Sequence, residues 1–197
     1  PKEREKQICM NDYKYVDLIL GKQCQTKMGR GGIRPLEFKT FSKEMQNAIT
    51  NYCQAGGNFF VSGAYVASDL WDNRLVKANE EDKKFAMEVL KYKWRVGQAA
   101  RNGKVKSVTS PFPEITGSYT YYQDLNPESY VVESPDALEP AAQGAFTILR
   151  YSENNLSAGI AYKGNYKTCV LGFPFEAIRT VTERELLMKA ILTFFKH

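Results

Sequence analysis

The stretch GGNFFVSGAYVASDL, residues 56–70, decides how the chain folds. A glycine pair leads into a short apolar run, and the run ends at Ser62-Gly63, a turn signal that opens into a helical segment. A brief apolar run bounded by turn residues is the pattern of a strand buried on both faces. Residues 59–61 are therefore expected as a central strand, with Gly63 as the turn and the Ser62 hydroxyl bonded to backbone amides or capping the next helix. Upstream, Ser42 is placed to cap a helix in which Met45, Ala48, Ile49, Tyr52 and Cys53 recur at helical spacing, with Gly56 just past its end. Before that helix, YVDLILG (Tyr15–Gly21) is a second apolar run, read as a strand buried on both faces. Strand, crossover helix, strand is the unit of a parallel sheet.

Downstream, the spacing of Phe85, Val89, Leu90 and Tyr92 predicts a helix over residues 80–94, with Trp94 continuing its face. Residues 95–110 alternate about Asn102-Gly103, a hairpin signal. Pro111, Pro113, Pro127, Pro135 and Pro140 then punctuate an irregular, strand-rich middle, so residues 95–143 are expected as an insertion at one edge or end of the sheet. GAFTILRY (residues 144–151), LSAGIAYKG (156–164) and KTCVLGF (167–173) read as three strands joined by the turns SENN and GN. In the closing VTERELLMKAILTFFKH, Thr182 and Glu185 suit a capping box and Val181 and Leu186 a hydrophobic staple. Leu187, Ala190, Ile191 and Phe195 form its buried stripe. The expectation is one α/β domain over residues 1–197, a mostly parallel three-layer sandwich with a strand-rich insertion.

Composition narrows the function. The 197 residues carry 27 Lys and Arg against 22 Asp and Glu, a net charge of +5. These charges are interspersed, which describes a mixed solvated surface and not a nucleic-acid interface. No run approaches the roughly 20 apolar residues of a membrane helix. The opening PKEREKQICMNDYKY has no starting Met and no leader pattern, so the chain reads as a piece of a longer precursor whose other domains are its expected partners. Cys9, Cys24, Cys53 and Cys169 have no zinc-type spacing and almost no histidine beside them, so neither a metal site nor a cofactor is expected. Cys53 and Cys169 read as buried small hydrophobes, and the count leaves open whether Cys9 and Cys24 pair.

In an open parallel sheet, ligands bind beyond the carboxyl ends of the strands. Three loops are expected there: Gly21-Lys22-Gln23, the turn from Ser62 and Gly63 to Tyr65 with Asp69 just beyond, and the G-F-P-F-E loop ending at Glu176. The candidate ligand-binding rim is therefore Gly21, Lys22, Gln23, Ser62, Gly63, Tyr65, Asp69 and Glu176, with Asp72 a further carboxylate nearby. Asp69 also stands where a short helix begins, and capping explains it as well. The glycine-rich loop of residues 22–35 matches neither a Walker loop nor a dinucleotide fingerprint and reads as a mobile connection. A phosphate held by Gly21, Lys22 and the Ser62-Gly63 amides is a further possibility.

A strand ending in a tight turn into a helix, and a late strand ending G-F-P-F-E before a closing helix, are similar to class I glutamine amidotransferase-like domains. That likeness implies a flavodoxin-like sheet, a nucleophile elbow of the form G-x-C-x-G and a late F-H-P-E loop. More closely, VDLILGKQ, AGGNFFVSGAYVASDL and VLGFPFEAI together resemble the domain of large secreted bacterial proteins labelled xanthan lyase or N-acetylmuramoyl-L-alanine amidase. The resemblance implies a secreted, periplasmic or cell-surface location and a carbohydrate ligand. It does not carry the family's catalyst across: no cysteine stands in the elbow, and with Glu176 aligned to the family's glutamate, Pro174 occupies the histidine position.

The single histidine of the chain is the terminal His197, so no residue is available as the base of a Ser-His-Asp or Cys-His-Glu triad. Two classes of function remain. One is a non-catalytic amidotransferase-like module, structural or ligand-binding. The other is a carbohydrate-active enzyme, a lyase using tyrosine as base with Tyr119, Tyr121 and Tyr122 clustered in sequence, or an amidase. Tyr65, Trp71 and Trp94 are the aromatics available to stack on a sugar.

Overall fold

The computed structural model describes residues 9–27, 29, 36–71 and 79–197. Readings made on residues 1–8, on most of the glycine-rich loop before Pro35, and on Asp72 lie outside the described residues. The strands are β1 (Tyr15–Gly21), β2 (Thr26–Lys27), β3 (Leu36–Glu37), β4 (Asn58–Gly63), β5 (Tyr92–Val96), β6 (Lys104–Ser107), β7 (Ser118–Thr120), β8 (Ala137–Pro140), β9 (Ala145–Tyr151), β10 (Ser157–Lys163) and β11 (Lys167–Leu171). The helices are α1 (Lys43–Gln54), α2 (Ser68–Trp71), α3 (Glu80–Phe85) and α4 (Val181–Lys196).

The main sheet has seven strands in the order β1-β4-β11-β10-β9-β6-β7. Only the β1–β4 and β4–β11 pairings are parallel, and from β11 to β7 every pairing is antiparallel. The sheet is therefore mixed, not mostly parallel as expected. Connection length explains the difference. β1 and β4 are separated by a segment that holds α1, long enough for a crossover, whereas β9, β10 and β11 follow one another through turns of a few residues that close only antiparallel hairpins.

β4 is the centre of the parallel part, as its unbroken burial from Phe59 to Gly63 requires. Its side chains alternate. Phe59 and Val61 pack with Val170 against Ile49, Tyr52 and Cys53 of α1, while Phe60 packs with Cys169 and Leu171 in the core shared with Leu187, Ile191, Phe194 and Phe195 of α4. Helices thus flank both faces, and a period of two in the strands meets a period of 3.6 in the helices. Cys53 and Cys169 are buried thiols, and Cys9 and Cys24 are unpaired.

Four expectations change. β1 is not buried on both faces as expected: it lies at the edge of the sheet, with β4 on one side only, and Ile19 is 54% exposed. The helix expected over residues 80–94 ends at Leu90 in a π-turn, because Lys91 takes a left-handed φ of 68°, and Tyr92 and Trp94 belong to β5. No hairpin forms at Asn102-Gly103: β5 pairs with β8 as a separate ribbon, and β6 pairs with β7 and β9. The capping box of α4 is Thr180 with Glu183, one half-turn earlier than expected. Two T-x-x-E frames overlap here, and a tertiary contact selects the first, since Glu183 also accepts the Thr120 backbone N–H at 3.1 Å. Val181 and Leu186 are consequently exposed, at 59% and 57%, and do not staple the helix start.

Candidate functional site

The carboxyl ends of β1 and β4 meet at the Gly21 carbonyl, which accepts the Ala64 N–H at 2.9 Å. Gly21 has φ +55°, and a Cβ there would stand 3.2 Å from both Glu176 Oε1 and the Tyr130 hydroxyl. The rim therefore brings Gly21 and Glu176 together, as the loop reading expects, and adds Tyr130 from the proline-punctuated middle. The Tyr130 hydroxyl donates to Glu176 Oε1 at 2.5 Å, while Glu176 Oε2 is buried with no partner among the described residues. Burial and this hydrogen bond push the Tyr130 phenol well above its ordinary value.

Lys22 is also claimed by the middle region. Its ammonium donates to Glu133 at 2.7 Å and to the Val131 carbonyl at 3.1 Å, and lies 5.7 Å from the centre of the Tyr130 ring. Gln23 turns the other way, donating from Nε2 to the Lys39 carbonyl at 2.9 Å and accepting the Thr40 hydroxyl on its own carbonyl at 3.0 Å. Tyr65 is half-buried, its phenol raised chiefly by burial and partly offset by a hydrogen bond to Ser134.

Asp69 does not cap the helix it opens. Its buried carboxylate accepts the backbone N–H of Gln25 at 2.9 Å and of Thr40 at 2.8 Å, tying two loops to the turn after β4. The N-terminus of α2 is capped instead by Asp136, which accepts from Ala67 and Ser68. Ser62 is fully buried within β4, between Ile19 of β1 and Leu171 of β11. Its Oγ has no hydrogen-bond partner among the described residues, so it neither bonds backbone amides nor caps a helix. The turn itself follows Gly63, so the strand carries Ser62 into the sheet and not onto an elbow.

Asp17 was no part of the predicted site. It stands on the same face of the sheet as Phe60, its register partner, and its carboxyl is pushed up to about 6, by burial first and by the charge of Glu176 second. Two like charges in one place disfavour ionising both. A lone acid inside YVDLILG was the sequence signal for it. Tyr130, Glu133 and Asp136 had no such signal, because only the tertiary path of the middle region carries them over the strand ends. Among the described residues, no group of three or more His, Cys, Asp or Glu side chains is arranged to hold a metal ion. No helix among them is long and apolar enough to cross a membrane.

No protein-family profile and no curated protein sequence matches the chain. Solved structures do resemble it. A cold-adapted β-galactosidase from Rahnella sp. R3 superposes with a TM-score of 0.51 at 14% identity, over 78% of this chain and 21% of the galactosidase. The exo-β-1,4-mannosidase Op5Man5 from Opitutaceae bacterium strain TAV5 gives 0.48 at 8% identity, over 94% of this chain and 25% of that one. The mmIFT52 N-terminal domain gives 0.42 at 15% identity, over 79% and 72% of the two chains. The galactosidase likeness shows a shared fold, and the chain spans only a fraction of both glycosidases.

Proposed function

We propose that this chain is a non-catalytic, amidotransferase-like α/β module of a larger secreted or cell-envelope protein that acts on polysaccharide or peptidoglycan. In that setting it serves a structural or ligand-binding role beside other domains. The observation that carries the reading is the fate of the elbow position. A hydroxyl nucleophile must meet its substrate and hand its proton to a positioned base. Ser62 is sealed inside the sheet, and the only histidine is the exposed terminal residue. The rim supports the same reading: Lys22, Gln23 and Asp69 are spent on carbonyls, amides and Glu133, and so brace loops. The likeness to part of a β-galactosidase fits a module within a carbohydrate-associated protein.

A second reading, a polysaccharide lyase or an N-acetylmuramoyl-L-alanine amidase, draws on Asp17, whose carboxyl is raised by burial and by the neighbouring charge of Glu176, as an acid-base carboxyl would be. Its lyase form weakens on the tyrosines. A tyrosine base needs a lowered phenol pKa, whereas Tyr119 and Tyr121 are raised by burial, Tyr122 by its hydrogen bond to Glu128, and Tyr130 by burial. The test is incubation of the chain with acidic polysaccharide, peptidoglycan and glutamine, following unsaturated uronate absorbance, released peptide and ammonia. The expected result is no turnover above buffer. Turnover that disappears in Glu176→Gln would establish the enzyme instead.

A further inference from the structure

A groove of about 420 Å³ opens between the β5–β8 ribbon and strands β9 and β10, and shares no residue with the rim. Its charge comes from local geometry. Lys93 and Arg95 of β5 both line the groove, Arg95 standing at a register irregularity between Trp94 and Val96. The register sets Lys93 opposite Glu139, and that single carboxylate serves both cations, at 3.5 Å from Lys93 and 3.6 Å from Arg95. Contacts this long between half-exposed groups are weak, and leave N–H donors able to turn toward a ligand. From the opposite wall comes Arg150 of β9, which commits one N–H to the Asn155 carbonyl at 2.7 Å. Three cations therefore line the groove against one carboxylate.

We propose that this groove is an oxyanion-binding site, taking a carboxylate, sulfate or phosphate group. A concave, basic wall focuses potential and concentrates anions. The guanidinium forks of Arg95 and Arg150 suit paired oxygens, which a lysine cannot match in geometry. The Thr147 hydroxyl in the groove lining donates to Ser157 Oγ at 3.2 Å, and the Ser157 hydroxyl to the Gly159 carbonyl at 3.4 Å, so the donors offered to an anion are those of the cations. An anion seated there relieves the repulsion among three cations that the fold holds together. Glu139 competes with it for the same donors.

Calorimetric titration of the full chain at low ionic strength tests this, with sodium sulfate, sodium phosphate and trigalacturonate as probes. Saturable binding of at least one probe is expected, weakened tenfold or more in Arg95→Gln and in Arg150→Gln, and unchanged in Lys189→Gln on α4. Glu139→Gln removes the competitor and should tighten binding several-fold, a gain that damage to the fold would not produce. A tenfold preference for trigalacturonate over the inorganic salts assigns the oxyanion to a sugar acid; equal affinities assign it to a free anion. Absence of saturable binding by all three probes overturns the proposal, as does an equal loss in Lys189→Gln. Matching urea midpoints for Arg95→Gln and the parent protein confirm that the variant is folded.

Discussion

Asp136 Oδ2 accepts the backbone N–H of Ser68 at 2.8 Å and its hydroxyl at 3.1 Å, joining positions 68 residues apart in sequence. The same oxygen accepts the Ala67 N–H at 2.8 Å. These amides open α2, directly after the strand that holds Ser62, so the proline-punctuated middle of the chain caps the turn that the strand ends in. A short helix has no partner of its own for its first N–H groups, and a carboxylate brought from afar supplies one.

Removing that carboxylate should therefore unfold the turn's support. Asp136→Ala leaves the Ala67 and Ser68 amides without acceptors in a buried setting, and should lower stability by about 2 kcal/mol at pH 5. Urea denaturation measures it; an unchanged midpoint would show that water satisfies both amides.

The same residue predicts a pH dependence. Burial pushes the Asp136 carboxyl up to about 7, from an ordinary 3.8, although the Ser68 and Ala67 amides pull it down. Between those values the native protein holds a proton that the unfolded chain has released. The contribution of Asp136 is thus full below pH 4 and declines as pH rises to 7, by up to about 1.4 kcal/mol per pH unit. Asp136→Asn should flatten this part of the curve of urea midpoints against pH, and an identical slope would contradict the assignment.

Gly172 faces the other side of Asp136. A Cβ at Gly172 would lie 2.0 Å from the Asp136 carbonyl oxygen, and the two residues are also joined by the Asp136 N–H donating to the Gly172 carbonyl at 2.7 Å. Backbone must move to admit a methyl group, so Gly172→Ala should cost about 3 kcal/mol of stability, read from the thermal or urea midpoint.

The start of α4 can be tested by comparing two threonines. Thr180→Ala removes the hydroxyl that accepts the Glu183 N–H at 3.1 Å and should cost about 1 kcal/mol. Thr182→Ala, at an exposed position inside the first turn, should change stability by less than about 0.5 kcal/mol. Equal losses would place the cap elsewhere.

At the rim, Glu176→Gln removes the charge that helps raise Asp17. Carbon-13 titration of the Asp17 carboxyl should then show its pKa falling from about 6 toward 3.8 without reaching it, because burial is the larger cause. No movement would separate the two carboxyls.

Much of the fold was legible in the chain. Residues 59–61 were recognisable as a central strand because an apolar run that short, flanked by glycines, has no solvent-facing side. The Ser42 cap of α1, the existence of three strands between Ala145 and Leu171 and the buried stripe of α4 followed from period and turn chemistry alone. Where local signals were degenerate, they misled. Asn102-Gly103 allowed a hairpin, yet β5 found β8; two T-x-x-E frames both allowed a cap, and Thr120 chose between them.

Sequence by itself determined the α/β class and the strand-helix-strand unit, because these depend on residue type and short-range period. Tertiary structure alone decided the rest. It made β1 an edge strand, turned the sheet mixed, buried Ser62 between Ile19 and Leu171, and brought Tyr130, Glu133 and Asp136 over the strand ends. Those outcomes rest on contacts between residues tens of positions apart, whose geometry local periodicity does not encode.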